Sequence, residues 1–221
     1  MQSFLSFVAL LQRNNKTFKT MLKSFSEFIG EATISATTSD AKSLVDILKK
    51  YIGKKEEGNN AGTMVKGFLK SVGLGVGNPW CMAFVYAIFK ELCDSKGIKS
   101  PLHQTASVLN FWYESMKKSP DSCIKVKDAI ADPTLVKPGQ IFIKSRLGGG
   151  HTGIVIKVEG DSFVSIDGNS SDQVKLNRYK IANMLGFVDH FKNPQISNSI
   201  ASLASSMTSS STPTLGGGKE V

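Results

Sequence analysis

Cys81 lies in GNPWCMAFVYAIFKEL, a segment suited to presenting a nucleophile. Asn78 is a good helix N-cap and Pro79 fits the first helical position. The pattern predicts an apolar helix from Pro79 to about Cys93 with Cys81 in its first turn. The positive end of a helix dipole favours a thiolate there. Val85, Ile88, Phe89 and Leu92 share the face of Cys81, so the thiol points toward whatever the helix packs on. A lone cysteine is most often a buried, inert thiol. The cap, the proline and the glycine-rich approach SVGLGVGNP turn the reading toward chemistry.

His151 supplies a matching base. It follows three glycines and opens the run TGIVIKV, which alternates as a strand does. A histidine at a strand mouth beside a glycine-rich loop is expected to be reachable by solvent and to face a thiolate across a groove. His103 and His190 lack that setting and read as surface or satisfied structural residues. One hairpin later comes SIDGNSS. Pairing 152–158 with 162–167 returns Asp167 to the His151 end, so Asp167 or Asn169 can accept from the far imidazole nitrogen. Asp-Gly-Asn is also an ordinary turn sequence, and both readings stand at this stage.

Helices must come first and strands second to hold these residues. Leu44, Ile47, Leu48 and Tyr51 make a helical stripe ended by Gly53. The turn EEGNNAG leads to a shorter helix with Val65, Phe68 and Leu69. A further helix, from about Thr105 to Lys117, is expected to bury Leu109, Trp112 and Met116. After Lys137-Pro138-Gly139 the period changes. QIFIKS, TGIVIKV, DSFVSID, QVKL and LGFVDH read as short strands, with a hairpin turn at Glu159-Gly160-Asp161. The expected fold class is α+β, with helices packed on a small antiparallel sheet.

The segments NPWCMAFV, GGGHTGIVIKV and SIDGNSSDQVKLNRY…LGFV resemble the CHAP family, the cysteine, histidine-dependent amidohydrolases/peptidases of bacterial and phage cell-wall enzymes. The resemblance spans about residues 41–192 and is greatest to compact phage and prophage proteins. It implies a papain-like fold, Cys81 as nucleophile and His151 as general base, with Asp167 where the family usually has an acidic residue and Asn169 at the following Asn. The implied activity is cleavage of an amide in peptidoglycan, as an N-acetylmuramoyl-L-alanine amidase or a peptide endopeptidase. Two departures matter. No glutamine precedes Cys81, so the backbone N–H of Cys81 is the candidate oxyanion donor. The acidic cluster that gives some members a calcium site is missing, so no metal or other cofactor is expected. Trp80 is a candidate for lining the substrate groove and equally for the core.

The chain divides into an amphipathic extension and linker (1–38), a catalytic domain (39–193) and a Ser/Thr/Gly-rich tail (194–221). Its net charge is +9, and residues 41–193 hold 22 basic against 14 acidic side chains. Such a surface suits a polyanion, whether wall, anionic membrane or nucleic acid, without choosing among them. Charge alone points to nucleic acid, which is not the expected partner. Three cysteines make a disulfide framework improbable. No apolar run approaches the ~20 residues that span a bilayer. The run Phe4–Leu11 is short and Arg13 follows it, the wrong charge order for a secretory signal. Cytoplasmic synthesis with action at the wall, by phage lysis, a virion or an export machine, is the expected route. The competing expectations are a catalytically silent CHAP-fold component docked through residues 1–38, and a cysteine protease of proteins.

Overall fold

A computed structural model describes residues 39–146 and 149–190. The expected N-terminal amphipathic helices, the linker and the Ser/Thr/Gly tail lie outside these residues. Helix α1 (Ser39–Lys49) buries Leu44, Ile47 and Leu48, and α2 (Thr63–Ser71) buries Val65, Phe68 and Leu69. Helix α3 (Cys81–Ser95) buries every residue from Cys81 to Val85. A helix apolar around its circumference belongs inside a core. Helix α4 (Val108–Lys118) is capped by Ser107, whose hydroxyl accepts from the Asn110 N–H at 3.2 Å. A short α5 (Val126–Ala131) follows.

The strands are β1 (Cys123–Lys125), β2 (Ile141–Arg146), β3 (Gly149–Glu159), β4 (Ser162–Asp167), β5 (Lys175–Lys180) and β6 (Gly186–Val188). They form one antiparallel sheet in the order β1-β6-β2-β3-β4-β5. The protein is therefore α+β. Alternation along the strands divides the core into two layers. Ile141, Ile143, Ile154, Ile156, Val164 and Ile166 pack under the long helices. Phe142, Val155, Phe163 and Phe187 face the other way, toward Ala129, Ile181 and Met184.

Several local expectations change. Helix α3 begins at Cys81 and not at Pro79, because Trp80 has φ −119° and ψ 13° and acts as the N-cap. The Asn78 amide is used instead within the glycine turn, donating to the Gly75 carbonyl at 3.0 Å. The last strand before the 3-10 turn at Ile181–Asn183 runs over 175–180, not 173–176; its polar, half-exposed residues mark a sheet edge that apolar alternation does not reveal. Strand β1 and helix α5 have too few residues to show a period. In α4 Phe111 and Trp112 are buried and Leu109 is half-buried. His190 is neither exposed nor satisfied: it is buried between the rings of Phe89 and Phe111 with no hydrogen-bond partner on either nitrogen. Burial pushes its pKa down to about 4, which keeps the ring neutral.

Candidate active site

Helix α3 carries Cys81 to the end of the β3–β4 hairpin. Its first turn presses on the chain just past β4: a Cβ on Gly168 would stand 2.5 Å from Cβ of Phe84. Cys81 is the first helical residue, and the first helical hydrogen bond runs from the Phe84 N–H to the Trp80 carbonyl at 2.8 Å. The Cys81 N–H thus belongs to the donors that a helix start leaves without an intrahelical acceptor. It remains the candidate oxyanion donor named from the sequence.

His151 is the third residue of β3, two after Gly149, which has φ 146°. Gly150 packs so closely on α4 that a Cβ there would meet the Val108 side chain at 2.8 Å. The imidazole Nε2 lies 3.0 Å from Asp167 Oδ2. The other nitrogen, Nδ1, is buried without a conventional partner and is left for the neighbouring Cys81 thiol. Burial acts to lower the His151 pKa, but Asp167 and Cys81 together outweigh it and raise the value to about 9. These neighbours favour the doubly protonated ring, with the Nε2 proton directed to Asp167 Oδ2.

Asp167 has no solvent exposure. A buried carboxylate needs several donors, and this one has four. Besides His151, Oδ2 accepts from Tyr179 Oη at 2.8 Å and from Asn177 Nδ2 at 2.9 Å, while Oδ1 accepts from Ser165 Oγ at 2.6 Å. Tyr179 is half-buried, and burial with the adjacent carboxylate pushes its pKa up, so it stays a phenol and a donor. Its ring leans on Phe142 and Phe163, centroids 5.1 and 5.8 Å away. The β3–β4 crossing needs a glycine. A Cβ on Gly153 would overlap Asp167 Oδ1 and stand 2.7 Å from the Ile166 carbonyl oxygen.

Of the five site residues expected from sequence, Cys81, His151 and Asp167 come together. Asn169 makes its side-chain hydrogen bond elsewhere. It follows the hairpin in a left-handed conformation (φ 56°) and its amide donates to Asn60 Oδ1 at 3.2 Å, tying the 168–173 turn to the EEGNNAG loop. Trp80 does not line a groove: it is fully buried, stacks on Phe68 and donates from Nε1 to Glu56 Oε2 at 2.8 Å. His151 is also less open than a strand mouth suggests, retaining 8% of its surface against 4% for Cys81. Ser165, Asn177, Tyr179 and Glu56 escaped the sequence reading. Strand parity was a usable signal for Ser165, which shares the face of Asp167 two residues away. Of the other thiols, Cys93 is buried, and burial pushes Cys123 up to about 11. Among the described residues no group of His, Cys, Asp or Glu side chains could hold a metal ion, and no helix is long and apolar enough to cross a membrane.

Comparison with protein-family models, with curated proteins and with solved structures returned no match to this chain.

Proposed function

We propose that this chain is a papain-like, CHAP-type cysteine hydrolase that cleaves an amide bond of peptidoglycan, as an N-acetylmuramoyl-L-alanine amidase or a peptide endopeptidase. The observation that carries the reading is a thiol at a helix N-terminus beside an imidazole whose far nitrogen is held 3.0 Å from a fully buried carboxylate. Nucleophile, proton carrier and orienting group thus stand in sequence, the arrangement that thiol acyl transfer requires.

Because His151 carries its second proton at neutral pH, it meets the substrate as an imidazolium. The Cys81 sulfur attacks the amide carbonyl carbon, and the oxygen gains negative charge beside the Cys81 N–H. The C–N bond breaks as His151 Nδ1 gives its proton to the leaving amine, and a thioester remains. Water then adds to the thioester while His151 takes its proton, and the sulfur leaves to restore the resting pair. Asp167 keeps the imidazole in one orientation through both halves. No cofactor enters these steps. The basic surface of residues 41–193 suits a wall rich in phosphate and carboxylate, and action at the wall after phage lysis, within a virion or by export fits that substrate.

The near-complete burial of Cys81 and His151 favours a second reading, a catalytically silent or partner-activated component of a phage particle or secretion apparatus. Digestion of purified sacculi separates the two. The protein is expected to release new amino groups and lower turbidity, and Cys81→Ala to reduce that rate by at least about 10⁴-fold. Mass analysis of the soluble fragments then names the bond cut, and casein alongside tests a protein substrate. No release from several wall types, with a thiol reductant present, would favour the silent reading.

A further inference from the structure

The sheet face that carries His151 and Asp167 also carries three basic side chains. Antiparallel register sets Lys144 of β2 opposite His151, and Lys175 of β5 opposite Asp167. Arg146, two residues beyond Lys144, returns to the same face. Lys144 Nζ lies 5.1 Å from the centroid of the Tyr179 ring, whose hydroxyl reaches Asp167. Lys144 is half-buried, while Arg146 and Lys175 are exposed.

Neutralisation along these strands is uneven. At the hairpin end Lys157 and Arg178 both pair with Glu159, and Lys180 pairs with Asp161. At the Cys81–His151 end, no carboxylate among the described residues pairs with Lys144, Arg146 or Lys175. Cations that no described carboxylate neutralises, set by register beside His151 and Asp167, raise the local concentration of an anionic ligand.

We infer that Lys144, Arg146 and Lys175 form an anion subsite at the mouth of this site, and that its ligand is a carboxylate of the peptide substrate close to the scissile amide. The identity of the ligand rests on the hydrolase reading, since peptidoglycan stems bear free carboxylates beside their amide bonds. Ammonium and guanidinium groups bind carboxylates by charge-assisted hydrogen bonds, with the guanidinium able to fork across both oxygens. The subsite therefore selects acidic stems over amidated ones.

The test uses the full chain carrying Cys81→Ala, so that binding is read without turnover. Soluble disaccharide-peptide fragments with free carboxylates are compared with the same fragments amidated, by calorimetry at low and at physiological salt. Amidation is expected to weaken binding about tenfold, and added salt to narrow that gap. In the same background Lys144→Gln with Arg146→Gln should bind both fragments equally weakly, while Lys144→Arg keeps the discrimination. Lys175→Gln, at an exposed position, gives a partial loss without threatening the fold. Equal affinities, no binding of either fragment, or discrimination that survives the double substitution overturns the subsite. Turnover by the unsubstituted protein is scored apart. Discrimination without hydrolysis would count against the hydrolase reading alone, and hydrolysis without discrimination against the subsite alone.

Discussion

Asp167→Asn is expected to lower kcat/KM on peptidoglycan by about 10³–10⁴-fold while leaving the fold in place. The fold survives because an amide oxygen at the Oδ2 position can still accept from His151, Asn177 and Tyr179. The amide nitrogen then meets Ser165, whose hydroxyl can turn from donor to acceptor. What disappears is the negative charge that holds the His151 proton. The sign of the pH effect follows. Asp167 helps to raise the His151 pKa to about 9, so activity that needs the imidazolium should persist through neutrality and fall as pH passes about 9. In Asp167→Asn that alkaline limb moves to lower pH. A pH series of initial rates on soluble fragments, with melting temperature as the control, checks both parts. A variant with an unchanged alkaline limb would show that Asp167 is only structural.

Gly153→Ala is expected to cost more stability than any other single-methyl change in the hairpin. The added carbon would overlap Asp167 Oδ1 and crowd the Ile166 carbonyl oxygen at 2.7 Å. Neither group can withdraw cheaply. The carboxylate is fixed by Ser165, Tyr179, Asn177 and His151, and the carbonyl belongs to the β4 backbone. Overpacking against groups of this kind costs about 3 kcal/mol or more. Pushing Asp167 aside would also separate it from His151, so activity should fall together with stability. Gly67→Ala in α2 is the matched control, because Gly67 is exposed with nothing within 4 Å of its would-be Cβ. There the same methyl is expected to stabilise by up to about 1 kcal/mol through helix propensity. Urea unfolding of the two variants should move in opposite directions. A Gly153→Ala midpoint equal to wild type would remove the steric account of the hairpin.

The parts legible in the sequence were those whose signals are local and repeated. The apolar run after Cys81, the alternation of TGIVIKV and DSFVSID, and the Gly160 turn between them suffice to bring Asp167 back beside His151. The helix start was misread by two residues because Asn78-Pro79 imitates a cap, while a turn with Gly77 at φ 91° takes the Asn78 amide. Asn177 and Tyr179 were missed for a different reason. KLNRYK is an edge strand with little apolar content, and assigning it to 173–176 hid the parity that places Asn177 and Tyr179 beside Asp167. Trp80 was open between groove and core because its partner is Glu56, 24 residues away, a contact that no local pattern reports. Asn169 fits a family-like spacing, yet its left-handed backbone sends the amide toward Asn60. Local periodicity thus reveals which residues face one another along a hairpin. Partners that arrive from separate loops become visible only when the chain is folded.

The central claim, that Cys81 and His151 form a reactive thiol–imidazole pair, is tested most directly by alkylating the native protein with iodoacetamide at pH 6 and mapping the modified peptides. An ordinary thiol is less than about 1% ionised at that pH and reacts slowly. Cys81 is as buried as Cys93, but it has the His151 imidazole beside it and is predicted to be carbamidomethylated ahead of the other two thiols, burial raising Cys123 to about 11. His151→Ala should slow that modification by at least about tenfold. Cys81 left unmodified, or modified as fast in His151→Ala as in the wild type, would contradict the account.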